Sequence, residues 1–218
     1  FKLHKRLQTG DNLTGSTFLK ALGYSLAVTE VNAAMGKVVA APTAGASGII
    51  PGILLSIAED RRLTDEQIID ALLVSGAVGK IIAANATLSG AEGGCQAECG
   101  AASAMAAAAA VFLCGGSPEQ SLDAASMALK GLLGLVCDPV AGLVEVPCSK
   151  RNASSVANAF ACAEMALAGI TSVIPFDEMV EAMFRVGNLM SPTLKETAAG
   201  GCAGTPTAIK FSRIIHNE

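Results

Sequence analysis

The segment CDPVAGLVEVPC places Cys137 and Cys148 with ten residues between them, a proline close to each, and mostly apolar residues in the interval. A third thiol, Cys95, stands upstream in GAEGGCQAEC. All three sit at or beside backbone that regular structure tolerates poorly: after Gly93–Gly94, before Asp138–Pro139, and after Pro147. Cysteines at element ends can converge on one point from distant chain positions, and three chemistries fit them. They can be small buried hydrophobes. They can bind zinc, although structural zinc favours tight C-x2-C pairs, and Cys95 and Cys99 have three residues between them. They can also hold an iron–sulfur cluster; electron-transfer clusters take four cysteines, so three would leave one iron open as a Lewis acid. Cys114 and Cys162 fall within or at the ends of helical segments and read as core residues, while Cys99 and Cys202 stay unassigned between chemistry and packing.

Composition narrows the classes around these thiols. Of 218 residues, 51% are hydrophobic and 16% charged, which excludes disorder. There is no Trp, one Tyr and seven Phe, so the bulk comes from aliphatic side chains suited to close helix packing. With a net charge of −4 and no basic run beyond KLHKR, the electrostatic footprint of a nucleic-acid binder is missing. A mean hydropathy of +0.50 raises the question of a membrane span. The uncharged stretch from Cys99 to Pro118 is alanine-rich, and Val38 to Ala58 is broken by prolines and glycines, so both read as parts of a buried core with no membrane span. Seven cysteines, an odd number without a signal peptide, argue against a disulfide scaffold and for the cytoplasm, where thiols stay reduced. The opening at Phe1 in place of Met suggests a missing N-terminus.

The elements that must position these groups are helices. Periodicity predicts them over Ser16 to Met35, with cap candidates at Asp11 to Thr14, and over Thr64 to Thr87, where TDEQ forms a capping box. An Ala-rich helix is expected from Gln96 to Leu113, closed by Gly115–Gly116. Another follows Ser117–Pro118, a strong start signal. Further helices are expected over Asn152 to Ile170 and after Pro175, with a short last one in SPTLKETAAG. PTAGASG reads as a turn feeding the helix IIPGILLSIA. VVAA before Pro42 is the one plausible strand, and one strand makes no sheet. The expectation is an all-α fold, a single compact domain over residues 1–218.

Four segments, AAPTAGASGIIPG, SGAEGGCQAECGAASAMAAA, CDPVAGLVEVPCSKRNA and AAGGCAGTPTA, closely resemble the α part of the iron–sulfur-dependent L-serine dehydratases, from about Leu13 to Thr207. The resemblance implies a [4Fe–4S] cluster on Cys95, Cys137 and Cys148, with the remaining iron binding substrate. It implies an all-helical catalytic part and a β chain or domain that no segment here matches. It also implies deamination of L-serine to pyruvate and ammonia through a self-hydrolysing aminoacrylate, with no pyridoxal phosphate.

Serine's carboxylate needs fixed donors, and two places suit it. In Pro42 to Gly48, the backbone N–H groups, including those of Gly45 and Gly48, and the hydroxyls of Thr43 and Ser47 can cradle an anion; the family often carries Asn where Ala44 stands. In SKRNA, Arg151 offers a bidentate fork and Asn152 a further donor. Thr43, Ser47 and Lys150 are the candidate catalytic groups. The α-proton acceptor is open between Lys150, a metal-activated group and the β part. Glu92, Glu98 and Glu145 lie near the cysteines, with Glu92 as a possible base or supporting partner, while His4 and His216 occupy polar ends. Two alternatives remain: a related L-cysteine desulfidase, and a non-catalytic helical metal-binding protein.

Overall fold

Local start signals explain where three of the helices begin. The computed structural model describes residues 2–217. Its helices are α1 (Lys2–Gln8), α2 (Ser16–Ala33), α3 (Ile49–Arg61), α4 (Asp65–Asn85), α5 (Gly90–Gly93), α6 (Ala101–Leu113), α7 (Pro118–Gly131), α8 (Cys148–Leu167), α9 (Phe176–Leu189) and α10 (Pro206–His216). Thr64 caps α4 in the expected box with Gln67, and Ser117 caps α7 in a second box with Gln120, with Pro118 in its first turn. Pro51 is tolerated because it lies in the first turn of α3, where its missing N–H has no intrahelical partner.

Several boundaries moved. The residue before α2 is Gly15, at φ 85°, and no side chain from Asp11 to Thr14 caps it. The Ala-rich helix starts with a π-helical turn, Gln96–Gly100, that runs into α6. The helix expected from Asn152 starts at Cys148, so the third thiol opens a helix. SPTLKETAAG forms only a 3-10 turn at Pro192–Leu194, and the last helix is α10, capped by Thr205 with Pro206 in its first turn. VVAA is unpaired; the described residues contain no strand, and their single bridge joins Cys137 to Lys195. The fold is all-α.

Helix α6 is the axis. Every residue from Ala101 to Val111 is buried, and α3, α4, α7 and α8 all pack on it. Eight of those eleven side chains are single methyl groups, which lets four neighbouring helices come close. The area term comes from those neighbours. Ile49, Ile53, Leu54 and Ile57 on α3 are buried, each contributing about 1.5–3 kcal/mol, against about 0.8 for a methyl. Enclosure answers the membrane question for this helix: 83% of its most apolar window lies inside the protein. By length and composition α4 also passes as a span, with 28% of its window buried.

Helices α2 and α3 meet at Gly48, where an added Cβ would run into the Ser25 backbone carbonyl oxygen. Gly48→Ala is therefore expected to cost about 1–3 kcal/mol, read as a melting temperature lower by about 2–4 °C per kcal/mol. Gly23→Ala in α2, whose Cβ meets nothing within 4 Å, should leave the melting temperature unchanged or raise it.

Candidate active site

Three loops end at one cavity of about 220 Å³. Cys95, just before the π-helical turn, Cys137, in the connection after α7, and Cys148, at the start of α8, all line it. Thr43, Ala44, Gly45, Glu98, Arg151 and Glu196 complete most of the wall. A larger hollow of about 330 Å³ beside Phe18 and Phe160 carries one thiol, Cys114, with Asp60, Arg61 and Glu164. Size favours that hollow; the convergence of thiols, hydroxyl and guanidinium favours the smaller one.

Buried polar groups hold each loop in place. Gln96, 1% exposed, donates from Nε2 to the Gly93 and Met183 carbonyls (both 2.9 Å) and accepts from the Gly134 N–H (2.8 Å), which anchors the turn next to Cys95. Cys137 donates its N–H to the Leu194 carbonyl (2.9 Å) and accepts from the Glu196 N–H (2.7 Å). Asn152 is fully buried; it accepts from the Gly48 N–H (3.1 Å) and donates to the Gly45 (2.7 Å) and Cys148 (3.0 Å) carbonyls. One amide thus ties the PTAGASG turn to the start of α8.

Arg151 is fixed by a buried partner. Its Nη1 donates to Asp138 Oδ1 (2.5 Å) and to the Val136 carbonyl (2.7 Å), while Asp138, 2% exposed, also accepts the Cys202 N–H at Oδ2 (2.6 Å). Burial alone would lower Arg151, but Asp138 outweighs it and the guanidinium titrates above its ordinary range. Gly201, at φ 59°, lies so close to Asp138 that a Cβ there would strike the carboxylate.

The electrostatics are crowded with potential anions. Cys148 is pushed up to about 12 by burial and by the charge of Cys95, and Cys137 is raised by burial and by Glu98. Cys95 runs the other way, lowered by the Cys99 thiol against burial and the Glu98 charge, while Cys99 is raised. Burial raises Glu98, opposed by the Thr43 hydroxyl, which donates to its Oε1 at 2.7 Å. Cys137 Sγ lies 3.9 Å from Glu98 Oε2. Three thiols and two carboxylates face one cation, Arg151, among the described cavity-lining residues. A cationic group between the thiols would relieve this crowding and favour the thiolates. No group of three His, Cys, Asp or Glu among the described residues is placed to hold a metal ion.

Comparison with known proteins matches residues 1–203 to the family described as Serine dehydratase alpha chain. The chain belongs to that family. It is 52% identical over 214 residues to the probable L-serine dehydratase alpha chain of Bacillus subtilis, spanning 98% of this chain and 71% of that one. It is 50% identical over 217 residues to the L-serine dehydratase alpha chain of Peptoniphilus asaccharolyticus, spanning 100% of this chain and 74% of the other. An L-serine dehydratase of Escherichia coli is 46% identical over 182 residues, which is 83% of this chain and 40% of that protein. This serine dehydratase alpha chain is accordingly an enzyme, a lyase that deaminates L-serine.

Not every candidate residue reaches the cavity. Thr43, Gly45, Arg151 and the three cysteines line it. Ser47 is buried with its hydroxyl on the Ala44 carbonyl (2.7 Å), and the Gly48 N–H is taken by Asn152. Asn152 has all its hydrogen bonds on backbone, so it positions the turn from outside the wall. Lys150 is exposed on α8 and lines no part of the cavity. Glu92 is exposed and accepts from Thr87, and Glu145 is exposed. Cys99 is buried behind Cys95, and Cys202 sits behind Asp138. Gln96, Asp138 and Glu196 were not foreseen. Asp138 had a signal in its adjacency to Cys137, but Glu196 had none.

Replacing Asn152 with Ala would orphan the Gly48 N–H and the Gly45 carbonyl. At about 1–3 kcal/mol for each buried group left unpaired, the unfolding midpoint in urea is expected to fall by the equivalent of about 3 kcal/mol.

Proposed function

We propose that this serine dehydratase alpha chain holds a [4Fe–4S] cluster on Cys95, Cys137 and Cys148 and binds L-serine in the cavity those thiols line. The observation that carries this reading is the arrival of three thiols, from chain positions 53 residues apart at the extremes, at one wall beside a fixed guanidinium. Bound there, the cluster would supply an open iron as a Lewis acid for the departing β-hydroxyl.

The chain's own residues do the rest. Arg151 takes the substrate carboxylate; Asp138 and the Val136 carbonyl occupy Nη1, and Nη2 and Nε have no partner among the described residues. A fork held this way loses little freedom when it binds. Thr43 orients Glu98 at the cavity edge. Gly45 lines the wall beside it, where a Cβ would meet Glu98 Oε1 (3.4 Å) and a Val144 methyl (3.5 Å) at ordinary contact distance. Cys148 opens α8, and the backbone at that helix start opposes in part the burial that raises its thiol.

The names of the Bacillus and Peptoniphilus relatives, each an alpha chain, support a partner β chain. All seven cysteines are free, which suits the reducing conditions of the cytoplasm.

Iron and acid-labile sulfide on the anaerobically purified enzyme, assembled with its partner, are expected at close to four each per chain. Cys137→Ser should abolish the cluster and pyruvate formation from L-serine together, with L-serine turned over in preference to L-cysteine in the parent. Four irons and full activity in Cys137→Ser would overturn the ligand set.

A further inference from the structure

Two carboxylates on the cavity wall have no counter-charge of their own. Glu98 arrives from the π-helical turn below α6, with Oε1 held by the Thr43 hydroxyl at 2.7 Å. Glu196 arrives by another route. Its N–H donates to the Cys137 carbonyl at 2.7 Å, and its backbone is left-handed, at φ 62°, an uncommon conformation for a residue with a side chain. Neither makes an ion pair among the described residues, and the cavity's cation, Arg151, is paired with Asp138. Glu98 is partly buried, where a carboxylate without a cation is costly unless a ligand brings one, and Glu196 adds a second, exposed carboxylate at the cavity rim.

The substrate class brings that cation. We propose that Glu98 and Glu196 recognise the α-ammonium group of the substrate, so that the cavity selects zwitterionic α-amino acids over hydroxy acids of the same shape. The inference rests on the cavity being the L-serine site. An ammonium group has three donors. Glu98 accepts with the oxygens left to it beside Thr43, and Glu196 supplies a second carboxylate from the Leu194–Gly200 side. Arg151 takes the carboxylate end, so charge alone orients the amino acid. Wall groups built to accept N–H donors also reject a ligand that lacks them, because they are then left unpaired.

The test uses the anaerobic holoenzyme and its Glu98→Gln and Glu196→Gln variants, each amide keeping the shape of the side chain. Iron and sulfide content is measured first. Calorimetric binding is then compared for L-alanine, which keeps the ammonium group, and 3-hydroxypropanoate, which lacks it. Expected are parental cluster content, L-alanine binding weakened at least tenfold with a matching rise in KM for L-serine, and 3-hydroxypropanoate binding unchanged or tighter. Equal weakening of both ligands, or no change in either, overturns the proposal. Loss of iron in one variant reassigns that residue to cluster support and overturns its ammonium role. A parent without iron would count against the cluster reading alone, because the two-ligand comparison still reports on the carboxylates.

Discussion

Everything in this protein hangs on how closely helices approach α6. A helix whose side chains are mostly methyl groups cannot hold a fold together through its own area, but it lets four larger neighbours share one axis. Polar contacts then fix the register. Ser103 on α6 donates to the Ser155 carbonyl of α8 (3.0 Å), and Asn158 on α8 donates to the Ser103 hydroxyl (2.9 Å) and to the Ala128 carbonyl of α7 (3.0 Å). Rotating any of the three would bury unpaired polar atoms. The same axis delivers chemistry, since its N-terminal extension carries Cys95 and Glu98 to the cavity.

The cavity wall is held by buried polar side chains that never touch it. Gln96, Asn152 and Asp138 are each at most 2% exposed, and each joins segments far apart in sequence. Their hydrogen bonds are charge-assisted or fully enclosed, where each is stronger than in water and costlier to leave unmade. This fixes the loops through packing and hydrogen bonds of the protein itself. Precision at the first set of groups depends on such support.

Much of the site was legible. Three cysteines beside Gly or Pro mark irregular backbone, and that irregularity placed all three on one wall. Arg151 was legible for its nearness to Cys148. Ser47, Lys150 and Asn152 lie equally near the motifs, yet Ser47 and Asn152 turn to other partners and Lys150 is exposed, because on a helix or tight turn adjacent residues face different directions. Glu196 was invisible: its place depends on a backbone bridge between Lys195 and Cys137, and nothing in KETAAG announces that pairing. Helix α10 carries a Thr–Pro start signal of its own, Thr205–Pro206.

By itself the sequence determined the all-helical class, the capped starts of α4 and α7 and the family, because caps, periodicity and motif spacing are local properties of the chain. Only the tertiary structure decided which polar groups face substrate and which hold the wall. Burial and hydrogen-bond partnership are set by residues tens to a hundred positions away, and a carboxylate at a cavity edge differs from one in solvent only through those distant neighbours.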